Sequence, residues 1–463
     1  MSGAQAEIEK LDSSSKDPAS QHVEVFDRPT GWRKYYYHPI AQVSMLGLVC
    51  FMCPGMFVAL TGLGGGGQVN GSIQANASAI LYSTFAFFGS INNVLGPRRT
   101  LMLGTWGYSL YIASFLAISI HPGAGASAFV VVAGAILGIC AALLWTAQGS
   151  LMMAYPTEAQ KGMFICISWA ILSLGGVVGS AVAFGTNFKI QQRNGTYVCF
   201  LILTLIGVFL PLLMANPDKM IRTDGTRVAQ VRHPSWKAEF FSLYVALKTD
   251  PWIILLFPIF FASNYFYTWQ YNDYNGAIFT IRARGLNNIM SWTAQIFGSI
   301  FIGCFVLDQK RVRRRVRAFY GWILVFLMIF VVHVWAFFYQ KTYTRTEEAV
   351  RNADRIDIMD DTYAAHVWVM IFYGFLDSMW QTYAYWLMGA MSNDPAKLAV
   401  FTGFYKSVQS AGAAGVWRAD AVGIPYMNIF LSTWCLMVAG MVFSAPMVYL
   451  RVTEHTYVED EGL

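Results

Sequence analysis

Long apolar runs alternate with short polar breaks along this chain, and the alternation repeats about twelve times. An apolar stretch of about 20 residues is what a helix needs to cross a hydrocarbon core of roughly 30 Å. The pattern predicts spans at approximately 40–60, 72–95, 100–120, 127–153, 162–185 and 196–215. A polar break over 216–250 follows. Further spans are predicted at approximately 251–271, 287–307, 318–339, 364–391, 397–416 and 424–449. The expected architecture is all-α and polytopic. It has an N-terminal tail over 1–39, a six-helix bundle over 40–215, a central loop over 216–250, a second six-helix bundle over 251–449 and a C-terminal tail over 450–463.

The polar segments carry their own signals. Residues 1–30 are polar and serine-rich, which predicts a disordered tail, and they lack the apolar core of a cleavable signal. Trp32, Tyr35, Tyr36 and Tyr37 then form a candidate aromatic belt at the first interface. In the central break Trp236, Phe240, Leu243, Tyr244 and Leu247 recur at helical spacing, with Lys237, Glu239 and Lys248 off the stripe. This predicts either a short amphipathic helix lying on the membrane surface or a linker helix packed on the bundle. The segment 340–363 is charged with mixed sign and reads as a solvated loop.

Composition agrees with a membrane class. Charged residues make up 13% of the chain, against roughly a quarter in soluble domains. The seven cysteines all fall in apolar runs, so no disulfide framework is implied. Cys50 and Cys53 have redox-motif spacing but stand inside a span beside Pro54, where two small packing residues are the plainer reading. The net charge of +6 lies in loops and is a topology signal rather than a nucleic-acid patch. With both termini inside, 20 lysines and arginines near membrane ends face the cytoplasm and nine face outward. The sequons at Asn70, Asn76 and Asn194 fall on the outer side in that arrangement. Asn70 and Asn194 are the candidate glycosylation sites, since Asn76 is too close to its helix.

The turn Gly89–Thr100, GSINNVLGPRRT, has a clear logic. Gly89 permits close backbone approach at a helix end, Gly96-Pro97 is a turn signal, and Arg98-Arg99 is too costly to place in hydrocarbon. This stretch resembles the loop between helices two and three of the major facilitator superfamily, whose pattern is G-x-x-x-D-R-x-G-R-R. Gly89, Gly96, Arg98 and Arg99 match it. Asn93 stands where the pattern has its aspartate and Val94 where it has the first arginine, so the charge relay of the standard loop lacks its acid. A second copy follows about 214 residues later: Gly303, Asp308 and a basic cluster containing Lys310, Arg311, Arg313, Arg314, Arg315 and Arg317. Two copies imply two homologous halves. Gly89, Asn93, Gly96, Arg98, Arg99, Gly303, Asp308, Arg311 and Arg314 are therefore the candidate gating residues.

Polar residues inside the spans carry more information, because burying them in a membrane is costly. Trp145, Gln148 and Gly149 share a face of the fourth span. Asn264, Tyr265, Tyr267 and Gln270 lie in the seventh and Gln295 in the eighth. Asp377 and Gln381 share a face of the tenth, Lys406 and Gln409 of the eleventh. Within these boundaries Asp377 and Lys406 are the only acid and the only base placed well inside a helix, so each is the other's expected partner. The pair serves equally well as a structural contact or as a substrate or proton site. The transport-cavity candidates are Asp377, Lys406, Gln409, Gln381, Gln148, Trp145, Asn264 and Gln295. Small residues also repeat every four positions, at Gly134, Gly138 and Ala142, at Gly175 and Gly179, and at Ser407, Ala411 and Gly415, as in closely packed membrane helices.

The runs Leu144-Trp-Thr-Ala-Gln-Gly149 and Gly403-Phe-Tyr-Lys-Ser-Val-Gln-Ser410 are similar to hallmark runs of the UNC-93-like, ion-channel regulatory branch of that superfamily. The resemblance covers about 40–450. It implies the two-bundle fold with a central cavity, and two classes of activity: transport of a small solute or ion by alternating access, or escort and regulation of a channel or receptor. The remaining sequence offers no enzyme. The histidines lack H-E-x-x-H spacing, and Gly62–Gly67 lacks the Lys-Ser/Thr of a phosphate loop. No cofactor or metal is expected. The expected partners are the lipid bilayer, an unidentified solute or ion and, on the second reading, a channel or receptor.

Overall fold

The computed structural model describes residues 26, 29–64, 71–89, 96–188, 193–228, 244, 247–248, 251–346, 355–392 and 395–454. Asn70, Asn93 and most of the 216–250 break lie outside them. Of the expected amphipathic helix only Tyr244, Leu247 and Lys248 are described, and Leu247 packs against the C-terminal core.

Among the described residues the chain forms twelve spans. The first, α1, runs Pro39–Met52 and resumes as Pro54–Gly62 after a 40° bend at Cys53. Pro54 explains the bend, because its ring blocks a continuous hydrogen-bond ladder. Then come α2 (Gly71–Phe88), α3 (Pro97–Ile120), α4 (Ala124–Ala154), α5 (Lys161–Phe188) and α6 (Arg193–Phe209). The second half has α7 (Pro251–Gly276), α8 (Ile281–Leu307), α9 (Arg314–Gln340), α10 (Tyr363–Met391), α11 (Pro395–Ala421) and α12 (Tyr426–Leu450). Spans α2, α10 and α11 fall short of the hydropathy of the other nine. They do so because they carry groups such as Gln74, Asp377, Gln381, Lys406 and Gln409, and these spans line the centre.

Each half has its own apolar core. Val43 to Val228 form one, joined by Ala413 and Trp417 of α11. Ile253 to Val452 form the other, joined by Met152, Met153 and Ile165. The halves meet along α2 with α11 and α5 with α8. Large apolar side chains such as Phe87, Phe209, Phe297, Phe305, Leu327 and Phe338 stand exposed around the outside. So broad an apolar surface fits lipid rather than water.

The boundaries near 271–286 differ from the sequence pattern. Span α7 continues to Gly276 through a π-helical turn, Trp269–Gly276, and α8 begins at Ile281. The turn's polar composition, WQYNDYNG, hid it from a hydropathy reading. Asp273 thus lies fully buried within α7, and Asp377 and Lys406 are not the sole charges at depth. The loop before α10 also departs from the solvated expectation. Ile356 N donates to Ile278 O (2.8 Å) and Thr280 N to Ile356 O (3.0 Å). Arg282 pairs with Asp357 and holds its carboxyl down to about 2.

Candidate functional site

A cavity of about 60 Å³ lies between the halves. At 10–15 Å³ per water this is room for roughly five waters. The N-terminal half contributes Phe57, Leu81, Tyr82, Phe85, Tyr108, Trp145 and Trp169 to its wall, and the C-terminal half Asn264, Tyr267, Trp292, Gln381, Lys406 and Gln409.

Lys406 dominates its electrostatics. Its ammonium sits against three ring faces, Trp145 at 4.7 Å, Tyr405 at 4.9 Å and Tyr385 at 5.3 Å. Such cation–π contacts soften the cost of burying the charge. The ammonium donates to Gln409 Oε1 at 2.8 Å. Gln409 Nε2 donates on to Asn264 Oδ1 (3.0 Å) and Gln381 Oε1 (3.3 Å). Gln381 in turn accepts from Tyr405 OH (2.6 Å) and donates to Ser263 O (2.6 Å). The three amides share one network because α7 breaks beside Ser263 and opens its carbonyl to α10.

The expected Asp377–Lys406 ion pair does not form. Among the described residues Lys406 has no carboxylate within salt-bridge distance. Asp377 accepts instead from Tyr267 OH at 2.7 Å, and its Oδ1 has no hydrogen-bond partner. Tyr267 lines the cavity and Asp377 stands behind it. The spacing in α10 and α11 put both charges in the centre, but only packing could show that amides fill the gap between them.

The structure therefore brings Trp145, Asn264, Gln381, Lys406 and Gln409 together. Gln148 and Gln295 lie apart from the cavity wall. Gln148 Nε2 faces Met152 Sδ at 3.3 Å. Gln295 Oε1 accepts from Trp169 Nε1 at 3.1 Å, tying α8 to α5. Trp292, Trp169 and Tyr108 were not among the sequence candidates, since an aromatic in an apolar run carries no polar signal.

Contacts join the halves toward both ends of the spans that line the cavity. At the basic end Asp308 accepts from the amides of Gly162 (3.1 Å) and Met163 (2.7 Å), the free N–H groups that open α5. Lys161 Nζ donates to Gly389 O and to Ser392 O (2.8 Å) at the end of α10. Arg314 pairs with Glu158. Gly303 meets the same region, where an added Cβ would lie 3.0 Å from Gly162 O. Of the other described gating candidates, Gly89 alone meets the opposite half. Arg98 bonds Leu212 O within its own half, and Arg99 and Arg311 are exposed. Gly89 lies against Ser407 of α11, its carbonyl accepting from Thr146. Gly96 supplies the positive φ of 75° that turns the chain into α3. Lys161 and Glu158 are not among the sequence candidates, since a charge in the break between the fourth and fifth spans carries no signal of a partner.

At the opposite end Asn275 Nδ2 donates to Gly62 O (2.8 Å), and Asn288 Nδ2 to Ala59 O (3.1 Å) and Ser180 Oγ (2.8 Å). Arg418 Nη1 donates to Asn76 Oδ1 at 2.8 Å. Asn194 is exposed, its side chain accepting from Ser119. All seven cysteines are free.

Two six-helix halves around a central cavity define a multi-pass membrane protein of the major facilitator fold. The xylose transporter XylE from E. coli, in a partially occluded inward-open conformation, matches with a TM-score of 0.59 at 12% identity, covering 91% of this chain and 100% of that one. The family described as ion channel regulatory protein UNC-93 matches residues 71–444, and the chain belongs to it. An UNC93-like protein of Schizosaccharomyces pombe is 42% identical over 455 residues, covering 96% of this chain and 90% of the relative. UNC93-like protein 1 of Arabidopsis thaliana is 38% identical over 431 residues, covering 91% and 92%. Family and fold are those of transporters and channel regulators rather than of enzymes.

Proposed function

We propose that this protein moves a small solute by alternating access, with 40–215 and 251–449 rocking about the cavity between them. One observation carries the reading: separate sets of inter-half contacts stand toward the two ends of the spans that line the cavity. Asp308, Lys161 and Arg314 stand toward one end, and Asn275, Asn288 and Arg418 toward the other. Two separable gates around a polar site are what alternating access requires. Lys406, Gln409, Gln381 and Asn264 face the solute in this scheme, and Asp377 acts through Tyr267. The basic end is cytoplasmic, as the charge asymmetry supports. Cysteines placed at Asp224 and Asp361 should then label from opposite sides of the membrane.

The family's description favours a second reading, a regulator or escort of a channel or receptor. Asn93, which stands where the loop pattern has its aspartate, is in keeping with that reading. Purified protein in sealed vesicles decides between them. The transport reading expects uptake above that of empty vesicles, reduced by Lys406→Met. A wild type that moves nothing across a broad panel of metabolites and ions leaves the regulatory reading.

A further inference from the structure

We propose that the cavity takes a small organic monoanion, a carboxylate on an apolar body, with the carboxylate on Lys406. This rests on the transport reading for its movement but not for its binding. Lys406 carries the one formal charge among the lining residues. An ammonium has three N–H donors, and this one spends one of them, on Gln409.

The other polar groups of the wall are also poised to donate. The Nε1 of Trp292, on a side chain 1% exposed, has no hydrogen-bond partner. Asn264 takes two bonds on its Oδ1, from Gln409 and Gln381, which leaves its NH₂ turned to other partners. Tyr108 OH accepts from Trp145 Nε1 at 3.1 Å and retains its own proton to give. The nearest carboxylate, Asp377, is outside the wall and already engaged by Tyr267. A site of donors around a buried cation calls for an acceptor-rich, negatively charged guest, since a cationic guest would meet Lys406 and a neutral one would leave its charge uncompensated.

The wall is divided by chemistry as well as by half. Cation and amides come from the C-terminal half, while Phe57, Leu81, Phe85, Leu137 and Leu172 come from the N-terminal half. A guest that satisfies both is amphipathic, its charged end toward α11 and its apolar end toward α1, α2 and α4. The volume of about 60 Å³, equivalent to roughly five waters, restricts the guest to a small molecule.

The test uses the full chain, purified, with trios of similar size that carry an anionic, a neutral or a cationic head group. Benzoate, benzamide and benzylamine form one; 4-methylpentanoate, its amide and its amine form another. Binding is read by calorimetry and thermal shift, flux by uptake of the labelled compound into vesicles. Binding of the anion at least tenfold tighter than that of its amide and amine is expected in at least one trio. Lys406→Met should weaken it 10- to 100-fold, while Lys406→Arg, which keeps the charge, should retain most of it. Trp292→Phe should weaken it several-fold through loss of the indole N–H. Equal binding across each trio, preference for an amine, binding of no anion, or an anion response unchanged in Lys406→Met overturns the proposal. Should Lys406→Met fail to fold, the wild-type charge preference and Trp292→Phe decide it. Anion binding without flux would keep the site and remove the transport reading. Flux of a neutral or cationic solute without anion binding would do the reverse.

Discussion

If the halves alternate as proposed, Asp308 can set the balance between their states. It lies just beyond α8, and burial pushes its carboxyl up to about 6, against the pull of the Met163 and Gly162 amides. With the basic end open the same group would be solvated and near the ordinary value of about 3.9. The closed form therefore binds the proton more tightly, and acidification through pH 6 should favour closure, levelling off below about pH 4. Spin-label distances across the basic end should shorten between pH 7 and pH 5, and Asp308→Asn should remove that dependence. A lengthening on acidification would reverse the argument. Lys406 and Asp377 give a second test at this scale. A directly paired buried acid and base leaves a stranded charge when either is removed, at about 3–5 kcal/mol. Here amides separate the two, so a double-mutant cycle of Lys406→Met and Asp377→Asn should give a coupling below about 1 kcal/mol. A coupling of several kcal/mol would mean that the two meet in a state other than this one.

At the scale of the element, small residues decide which helices touch, and periodicity found only some of them. Gly134 and Gly138 face the α2 backbone: a Cβ on Gly138 would lie 2.1 Å from Leu81 O and 1.9 Å from Thr84 Oγ1. Gly175 meets the Phe51 backbone of α1, and Gly179 meets Ala59. The third series reads differently from its spacing. Ala411 and Gly415 are exposed, and Gly412 makes the contact, its Cβ position 2.2 Å from Phe261 O. Gly138→Ala should therefore cost about 1–3 kcal/mol, since backbone cannot give way cheaply. Gly415→Ala should stay within about 0.5 kcal/mol. Thermal unfolding of the two variants side by side reads the contrast, and equal effects would mean that α2 and α4 are not so close. The π-helical end of α7 belongs here too. It turns Asn275 toward α1 and places Asp273 3.5 Å from Arg345, which also holds Asp420 at 2.7 Å.

For the whole molecule the question is whether the two closures alternate. Cysteines replacing Lys161 and Ser392 can be bridged at the basic end, and cysteines replacing Asn76 and Arg418 at the other, with a short two-armed thiol reagent. If the halves rock, either bridge alone should abolish uptake, and reductive release should restore it. Uptake that survives both bridges would mean that the halves do not move as bodies.

Length and hydropathy determined most of the spans, the all-α class and the membrane setting, because a lipid-facing helix must bury about 20 residues in hydrocarbon whatever its neighbours. Glycine and proline spacing determined the turn at Gly96 and the bend beside Pro54, which are local backbone effects. The repeated loop singled out Asp308, which meets the other half at Gly162 and Met163, whereas Arg98, matched by the same motif, bonds within its own half and Arg99 is exposed. What only tertiary structure decided were partners: Lys406 with aromatic rings instead of Asp377, Asp377 with Tyr267, Lys161 with the end of α10, Trp292 in the cavity wall. A span's hydropathy says how deep a residue lies. Which helix it faces depends on the packing of residues hundreds of positions apart, and that information is absent from any local window of the chain.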